Sequence, residues 1–299
     1  MWIDDRGSSE YMQKDGVLKT IWRVLYPYIV YFAITVVIEI LLIIPDCIRM
    51  IQNAQTSDRS QMFQELNQLI YDKAMFLTFV SGLITIPVLY LFFFLDKKKY
   101  RDKHLVISYV PLPLRSYLYT ALLGIFACLS LNNLIDLTGI INYSPMYQEL
   151  ANKAFGGDIY ITFLTTIGMA PILEELLFRG LIYKRLRNIC KPFVAAIISS
   201  LAFGITHGNL VQFLYAFFAG MLMAYVYEKY KNIWAPIIFH LFANILSMLG
   251  AGFIDGVHFI WIKVALLVLE AAVLFVIYKI IDYKVNREIK PIISELQVL

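Results

Sequence analysis

Long uninterrupted apolar runs constrain the fold of this chain more than any other feature. The runs at 21–44 and 75–95 are each close to the ~20 residues that cross a bilayer as a helix. Of the 299 residues, 60% are hydrophobic and 16% are charged, whereas soluble domains are roughly 45–50% apolar and about 25% charged. Because a helix pairs its own backbone polar groups in lipid, the sequence predicts an all-α polytopic integral membrane protein.

Hydropathy predicts about eight transmembrane helices in a single membrane domain, residues 1–299. The predicted spans are 21–44, 75–95, 115–135, 159–183, 192–207, 210–228, 233–252 and 258–281. The loops after spans two, four and six and the tail after span eight are basic. The loops at 136–158 and 253–257 contain one basic residue between them, Lys153. The positive-inside rule then predicts that both termini are cytoplasmic.

The first apolar run is expected to remain in the protein as a span. The 20 residues before it lack the basic n-region of a signal peptide, and no small-residue cleavage site follows it. The longest polar connection, 48–73, would face outward. Met62, Leu66 and Leu69 recur at roughly helical spacing there. A surface helix is one interpretation of this segment, and a mobile lid is the other.

The sequence does not indicate cysteine-based structure or nucleic-acid binding. The three cysteines, Cys47, Cys128 and Cys190, are far apart, so they predict neither a disulfide framework nor a cysteine metal site. The net charge is a modest +4, and no stripe of Lys and Arg interleaved with aromatic residues indicates nucleic acid as a partner.

The predicted fourth span contains three ionisable residues, Glu174, Glu175 and Arg179. A charge at the bilayer centre costs roughly 2.5–17 kcal/mol, depending on how it is measured. Glu175 and Arg179 are four residues apart, so they share a helix face and can pair. Glu174 projects about 100° away and lacks this partner. Either all three residues form a buried ion network, or Glu174 is a general base.

Two further spans carry intramembrane polar residues of catalytic type. His207 lies at the end of span five, and His240 and Asn244 share one face of span seven. The structural alternatives are that His207 is an ordinary interfacial histidine and that His240 and Asn244 form hydrogen bonds between helices. Together with Glu174, these residues predict one converging pocket. If the helices were straight, Glu174 would lie ~15 Å, His240 ~10 Å and His207 ~24 Å from the predicted cytoplasmic surface. Convergence of the three side chains therefore requires strongly tilted helices or a span five that begins below the membrane surface.

The three motifs together resemble those of the CAAX-protease and bacteriocin-processing intramembrane endopeptidases. The family order is Glu-Glu-x-x-x-Arg, Phe-x-x-x-His and His-x-x-x-Asn. This chain has these motifs at 174–179, 203–207 and 240–244, each on a separate predicted span. The resemblance covers a core of about 159–250, roughly a third of the chain.

This resemblance implies an all-helical membrane endopeptidase and a role for each motif residue. Glu174 with His207 would activate a water molecule for attack on the scissile carbonyl. His240 and Asn244 would stabilise the oxyanion, a contribution of typically ~3–4 kcal/mol per donor. Glu175 would hold Arg179, in agreement with their spacing.

The resemblance leaves the cofactor and the biological role open. Zinc is one alternative, with Glu174, His207 and His240 as ligands, although we favour the metal-free interpretation. The expected partners are the lipid bilayer and a peptide, lipidated peptide or membrane-anchored protein substrate, in the plasma membrane of a bacterium. The competing hypothesis is a non-catalytic immunity or regulatory protein that binds a bacteriocin or a sensor. A small-solute transporter is less well supported, because the spans show no paired Gly/Pro-broken repeat.

Overall fold

The computed structural model describes residues 17–53, 59–101, 111–147, 158–187, 189–250 and 259–291. These residues form long helices and contain no strand, so the all-α prediction is confirmed for the described part of the chain. The helices are α1 Val17–Asn53, α2 Arg59–Arg101, α3 Leu114–Thr138, α4 Ile159–Leu186, α5 Pro192–Ile205, α6 Leu210–Tyr230, α7 Trp234–Gly250 and α8 Ile260–Ile289.

Six of these helices are long and apolar enough to cross a membrane. The other two, α5 and α7, have 14 and 17 residues, which corresponds to about 21 and 25 Å against a hydrocarbon core of about 30 Å. The polytopic membrane architecture is therefore confirmed. The predicted number of eight full spans is not, because α5 and α7 are short.

Helices α1 and α2 continue well beyond their predicted spans. They contain 37 and 43 residues, and together they include most of the polar segment 48–73. Residues 54–58, between the two helices, lie outside the described part. Lys73 of α2 donates to Asp46 of α1, and Arg49 lies 3.6 Å from the same carboxylate. The helical interpretation of this segment is therefore confirmed where the structure describes it.

The core of the bundle surrounds the second half of α4. Every residue of Leu176–Tyr183 is buried, and Leu177 and Leu181 are 0% exposed. An apolar helix buried on all sides belongs at the centre of a bundle. Wide π-helical turns occupy Leu164–Met169 and Leu176–Tyr183, on either side of Glu174 and Glu175. Such turns are rare and are frequent at functional sites.

Ion pairs connect the helices at one end of the bundle. Asp96 of α2 accepts from Arg185 of α4 at 2.6 Å and from Arg23 of α1 at 3.3 Å. The Arg185 side chain is only 1% exposed and also donates to the hydroxyl of Tyr26. Charged side chains in a membrane protein concentrate near the headgroups or pair with one another. This network therefore fixes α1 and α2 against α4 at one membrane surface.

Candidate active site

Glu175 and Arg179 form the buried ion pair that their spacing predicts. The Nη1 atom of Arg179 donates to Oε1 of Glu175 at 2.8 Å, and both side chains are 0% exposed. One helical turn separates the residues, so their side chains lie on the same face of α4. The negative charge of Glu175 is therefore compensated within its own helix.

Glu174 faces a different partner, the imidazole of His240 on α7. Its Oε2 atom lies 3.6 Å from Nε2 of His240, and its side chain remains 26% exposed. The other ring nitrogen, Nδ1, lies 3.1 Å from Oε1 of Glu175. Because an ionised carboxylate only accepts hydrogen bonds, Nδ1 carries the proton and Nε2 is the nitrogen directed at Glu174. One imidazole thus connects the two adjacent glutamates.

His207 joins the site through Phe203 and not through a direct bond to Glu174. Its Nδ1–H donates to the backbone carbonyl of Phe203 at 2.9 Å, and its ring meets the Phe203 ring edge-on with centroids 4.9 Å apart. The same phenyl ring lies 5.8 Å from the ring of His240 and 4.7 Å from the guanidinium of Arg179. A cation over an aromatic face is stabilised by the quadrupole of the ring. Phe203 is therefore the common neighbour of both histidines and the arginine.

Asn244 lies one turn beyond His240 on the same face of α7. Its Nδ2 atom donates to the backbone carbonyl of Thr166 at 2.8 Å. Thr166 belongs to the first wide turn of α4, Leu164–Met169. A primary amide has two N–H donors, so this bond positions the side chain and leaves a second donor.

The shortness of α5 explains how His207 reaches the other motif residues. The helix ends at Ile205, and His207 lies in the turn that follows, where Gly208 has a φ of +74°. Glycine adopts this left-handed conformation without the steric cost that a Cβ would add. The imidazole folds back by one turn against Phe203. The end of this 14-residue helix thus places His207 against Phe203, whose ring also contacts His240.

Sequence reasoning missed two residues that surround Arg179. A Cβ at Gly220 of α6 would lie 2.9 Å from Nη2 of Arg179 and 3.0 Å from Oγ of Ser200. Only a residue without a side chain allows α6 to approach the guanidinium so closely. The sequence signal was weak, because a single glycine in an apolar span is common. Phe203 lay within a motif, but its side chain had no predicted role.

Zinc is the alternative cofactor, with Glu174, His207 and His240 as its ligands. Within the described ranges, no three His, Cys, Asp or Glu side chains are grouped so that they could hold a metal ion. Glu174 and His240 are adjacent, and His207 directs its Nδ1 at the Phe203 carbonyl, so Nε2 is its remaining ring nitrogen. Glu175 already accepts from Arg179 and His240 through one oxygen.

The four charged or polar groups at the centre of the site suit proton transfer. Glu174 and Glu175 supply two negative charges and Arg179 supplies one positive charge. The single positive charge pairs with Glu175, and the carboxyl of Glu174 lies 3.6 Å from the imidazole of His240. A carboxyl beside an imidazole is a common acid–base combination.

The sequence of this core matches a known protein family. Residues 156–246 match the family model described as type II CAAX prenyl endopeptidase Rce1-like. All seven motif residues, from Glu174 to Asn244, lie within this range. No solved structure matches the chain significantly.

Curated relatives also match part of the chain. The putative membrane peptidase YdiL of Bacillus subtilis (strain 168) is 41% identical over 76 residues, 25% of this chain and 31% of YdiL. The membrane-embedded CAAX protease MroQ of Staphylococcus aureus (strain USA300) is 31% identical over 118 residues, 37% of this chain and 47% of MroQ. An uncharacterised 24.3 kDa protein of Escherichia coli is 30% identical over 109 residues, 35% of this chain and 50% of that protein. The matches therefore span about a third to a half of these relatives.

Proposed function

We propose that this protein is an intramembrane endopeptidase of the CAAX-protease and bacteriocin-processing family, because its core, residues 156–246, matches the Rce1-like family model. The observation that carries the proposal is the contact of Glu174 with His240 at 3.6 Å. Glu174 is the partly exposed member of a glutamate pair whose other member, Glu175, is held by Arg179. One carboxyl is thus available for chemistry, while its neighbour orients the histidine.

In this mechanism Glu174 is the general base. The water oxygen forms a bond to the scissile carbonyl carbon, one water proton moves to the Glu174 carboxylate, and the carbonyl electron pair moves onto its oxygen. When this intermediate collapses, the C–N bond breaks and the amine nitrogen receives the proton from Glu174. The products are a carboxyl and an amine terminus, and Glu174 is ready for another cycle.

His240 and Asn244 act as oxyanion donors. His240 donates to the oxyanion from Nε2, on the side that faces Glu174, while Glu175 accepts from Nδ1 and keeps the ring in place. Asn244 offers its second N–H while its first is bound to Thr166. Preorganised donors of this kind typically contribute ~3–4 kcal/mol each. His207 approaches the substrate from the Phe203 side and assists Glu174 in water activation.

The proposed substrate is a lipidated or membrane-associated peptide or protein, in the plasma membrane of a bacterium. The location of Glu174 within a span supports this class, because a soluble chain would have to enter the bundle. The basic loops after spans two, four and six support cytoplasmic termini. The name of MroQ describes a membrane-embedded CAAX protease, which agrees with this class of substrate.

The test compares peptides from native-host cells that carry the wild type or Glu174→Gln. Specific cleavage products should disappear from the membranes and medium of the mutant, and the termini that are lost identify the substrate. Glu270→Gln is the matched control, because Glu270 is a buried glutamate of α8 bonded to Asn133, away from this site. Immunoblots establish equal amounts of protein.

Two outcomes would reject the protease mechanism. Unchanged peptide profiles in Glu174→Gln cells that keep a phenotype such as bacteriocin immunity indicate a protein that acts by binding. Equal loss of products in both variants indicates a general requirement for buried carboxyls, with no special role for Glu174.

A further inference from the structure

A groove between the beginning of α3 and the end of α8 lies outside the candidate active site. It has a volume of about 500 Å³ and is shallow and largely open to its surroundings. Its lining includes the apolar side chains of Phe275 and Val276, the phenols of Tyr119 and Tyr283, and the amines of Lys279 and Lys284. An apolar wall with two cations at one end is an unusual surface for contact with neutral lipid tails.

Lys279 lacks a carboxylate partner among the described residues. Its ammonium lies 5.3 Å from the centroid of the Phe275 ring, which contributes to the wall of the groove. The nearest acidic residue in sequence, Asp282, accepts from Lys229 of α6 instead. The Lys279 side chain is exposed, so its ammonium is accessible to a group outside the protein.

The second lysine contributes to a positive excess at the same end of the groove. Lys284 donates to Glu288 at 3.0 Å, and Arg115 of α3 donates to the same carboxylate at 2.7 Å. Arg287 donates to the hydroxyl of Tyr283, on the rim. The four basic side chains around the groove, which include Lys279, are thus balanced by one acidic side chain.

The position of the groove places these cations at headgroup depth. The ion pair of Arg185 with Asp96 marks the same end of the bundle, since α4 and α2 end there. Tyrosines such as Tyr119 and Tyr283 are enriched at the membrane–water interface, where the ring contacts lipid and the hydroxyl contacts water. Basic pockets between transmembrane helices bind anionic headgroups.

We propose that this groove is a binding site for an anionic phospholipid of the bilayer. The phosphate lies against Lys279 and Lys284, and an acyl chain follows Phe275 and Val276 along α8. The apolar wall favours a lipid over free phosphate, because only a lipid brings an acyl chain that packs against that wall. The bound lipid would bridge α3 to α8, and α3 packs directly on α7, the helix of His240.

The test measures phospholipid retained by the purified full-length protein. The protein is reconstituted in mixed phosphatidylcholine and phosphatidylglycerol, extracted gently, and analysed by native mass spectrometry. Lys279→Gln should reduce retained phosphatidylglycerol by about fivefold, the factor that corresponds to about 1 kcal/mol per basic residue near an anionic surface. Lys191→Gln, which removes an exposed charge at the same end of the bundle but outside the groove, should leave retention unchanged.

A second variant tests the apolar part of the groove without changing its charge. Val276→Trp should fill the space beside Phe275 and also reduce retention, while the melting temperature of each variant confirms that it is folded. Full retention in Lys279→Gln, or an equal loss in Lys191→Gln, would overturn the proposal. Displacement of phosphatidylglycerol by inorganic phosphate alone would also overturn it, because the site would then be specific for a soluble anion.

Discussion

The adjacent residues Glu174 and Glu175 allow a matched test of the buried ion pair. Both can be changed to glutamine without a change in shape, yet the structure assigns them opposite consequences. Glu175→Gln leaves the guanidinium of Arg179 without its counter-charge at 0% exposure. Glu174→Gln alters a side chain that is 26% exposed and that contacts His240 at 3.6 Å. We expect the first variant to lose stability and the second to lose activity.

The magnitude follows from the geometry of the pair. Two unit charges at the observed 2.8 Å attract each other by about 6 kcal/mol at an effective dielectric of about 20. Relaxation of the surroundings, and the hydrogen bond that the new amide side chain can still accept from Arg179, recover part of this attraction. Breaking a buried pair therefore typically costs about 3–5 kcal/mol. Glu174→Gln should cost about 1 kcal/mol or less, the range of partly exposed pairs.

The assay is thermal unfolding of the purified variants in detergent. A loss of 3–5 kcal/mol should lower the Tm of Glu175→Gln by roughly 6–20 °C, while Glu174→Gln should change it little. The double variant Glu175→Gln/Arg179→Met removes both charges and should recover part of the loss, because a neutral buried pair leaves no unpaired ion. Equal Tm values for the two glutamine variants, or additive losses in the double variant, would refute this account.

Three other substitutions and one control test the packing and the ion pairs of the bundle, each by Tm in detergent and by peptide processing in cells. Gly220→Ala would place its Cβ 2.9 Å from the Arg179 guanidinium and should cost about 1–3 kcal/mol, whereas Gly168→Ala, with no atom within 4 Å, should be neutral or slightly stabilising. Gly124→Ala would place its Cβ 2.3 Å from a backbone carbonyl of α7, so it should reduce both stability and processing. Asp96→Asn removes the carboxylate shared by two arginines and should cost about 3–5 kcal/mol. For each of the three destabilising variants, a Tm equal to that of the wild type would contradict the clash or the charge argument.

The helices were largely predictable because burial in lipid demands a long apolar run. The predicted starts at 159, 192, 210 and 233 agree with the observed helices to within one residue. The ends of α1 and α2 were not predictable from hydropathy, which measures preference for lipid and not helix length. Polar residues continue both helices beyond the apolar runs, where Asp46 and Lys73 join them.

Part of the candidate site was also contained in local spacing. A separation of four residues determined that Glu175 and Arg179 could pair, and adjacency determined that Glu174 could not share that face. The roles of these groups in catalysis stay predictions. The pairing of Glu174 with His240, and the contact of both histidines with Phe203, could not be read from the motifs, which specify residues but not how their helices are rotated.

The sequence by itself determined that this protein is a bundle of apolar helices with a charged pair inside one of them. Both properties depend on short-range chemistry: the cost of an unpaired backbone or charge in lipid, and the 3.6-residue period of the helix. The tertiary structure decided which imidazole meets Glu174 and where a glycine allows α6 to approach Arg179. These contacts depend on the relative positions of helices far apart in the chain, which are set by the packing of the whole bundle.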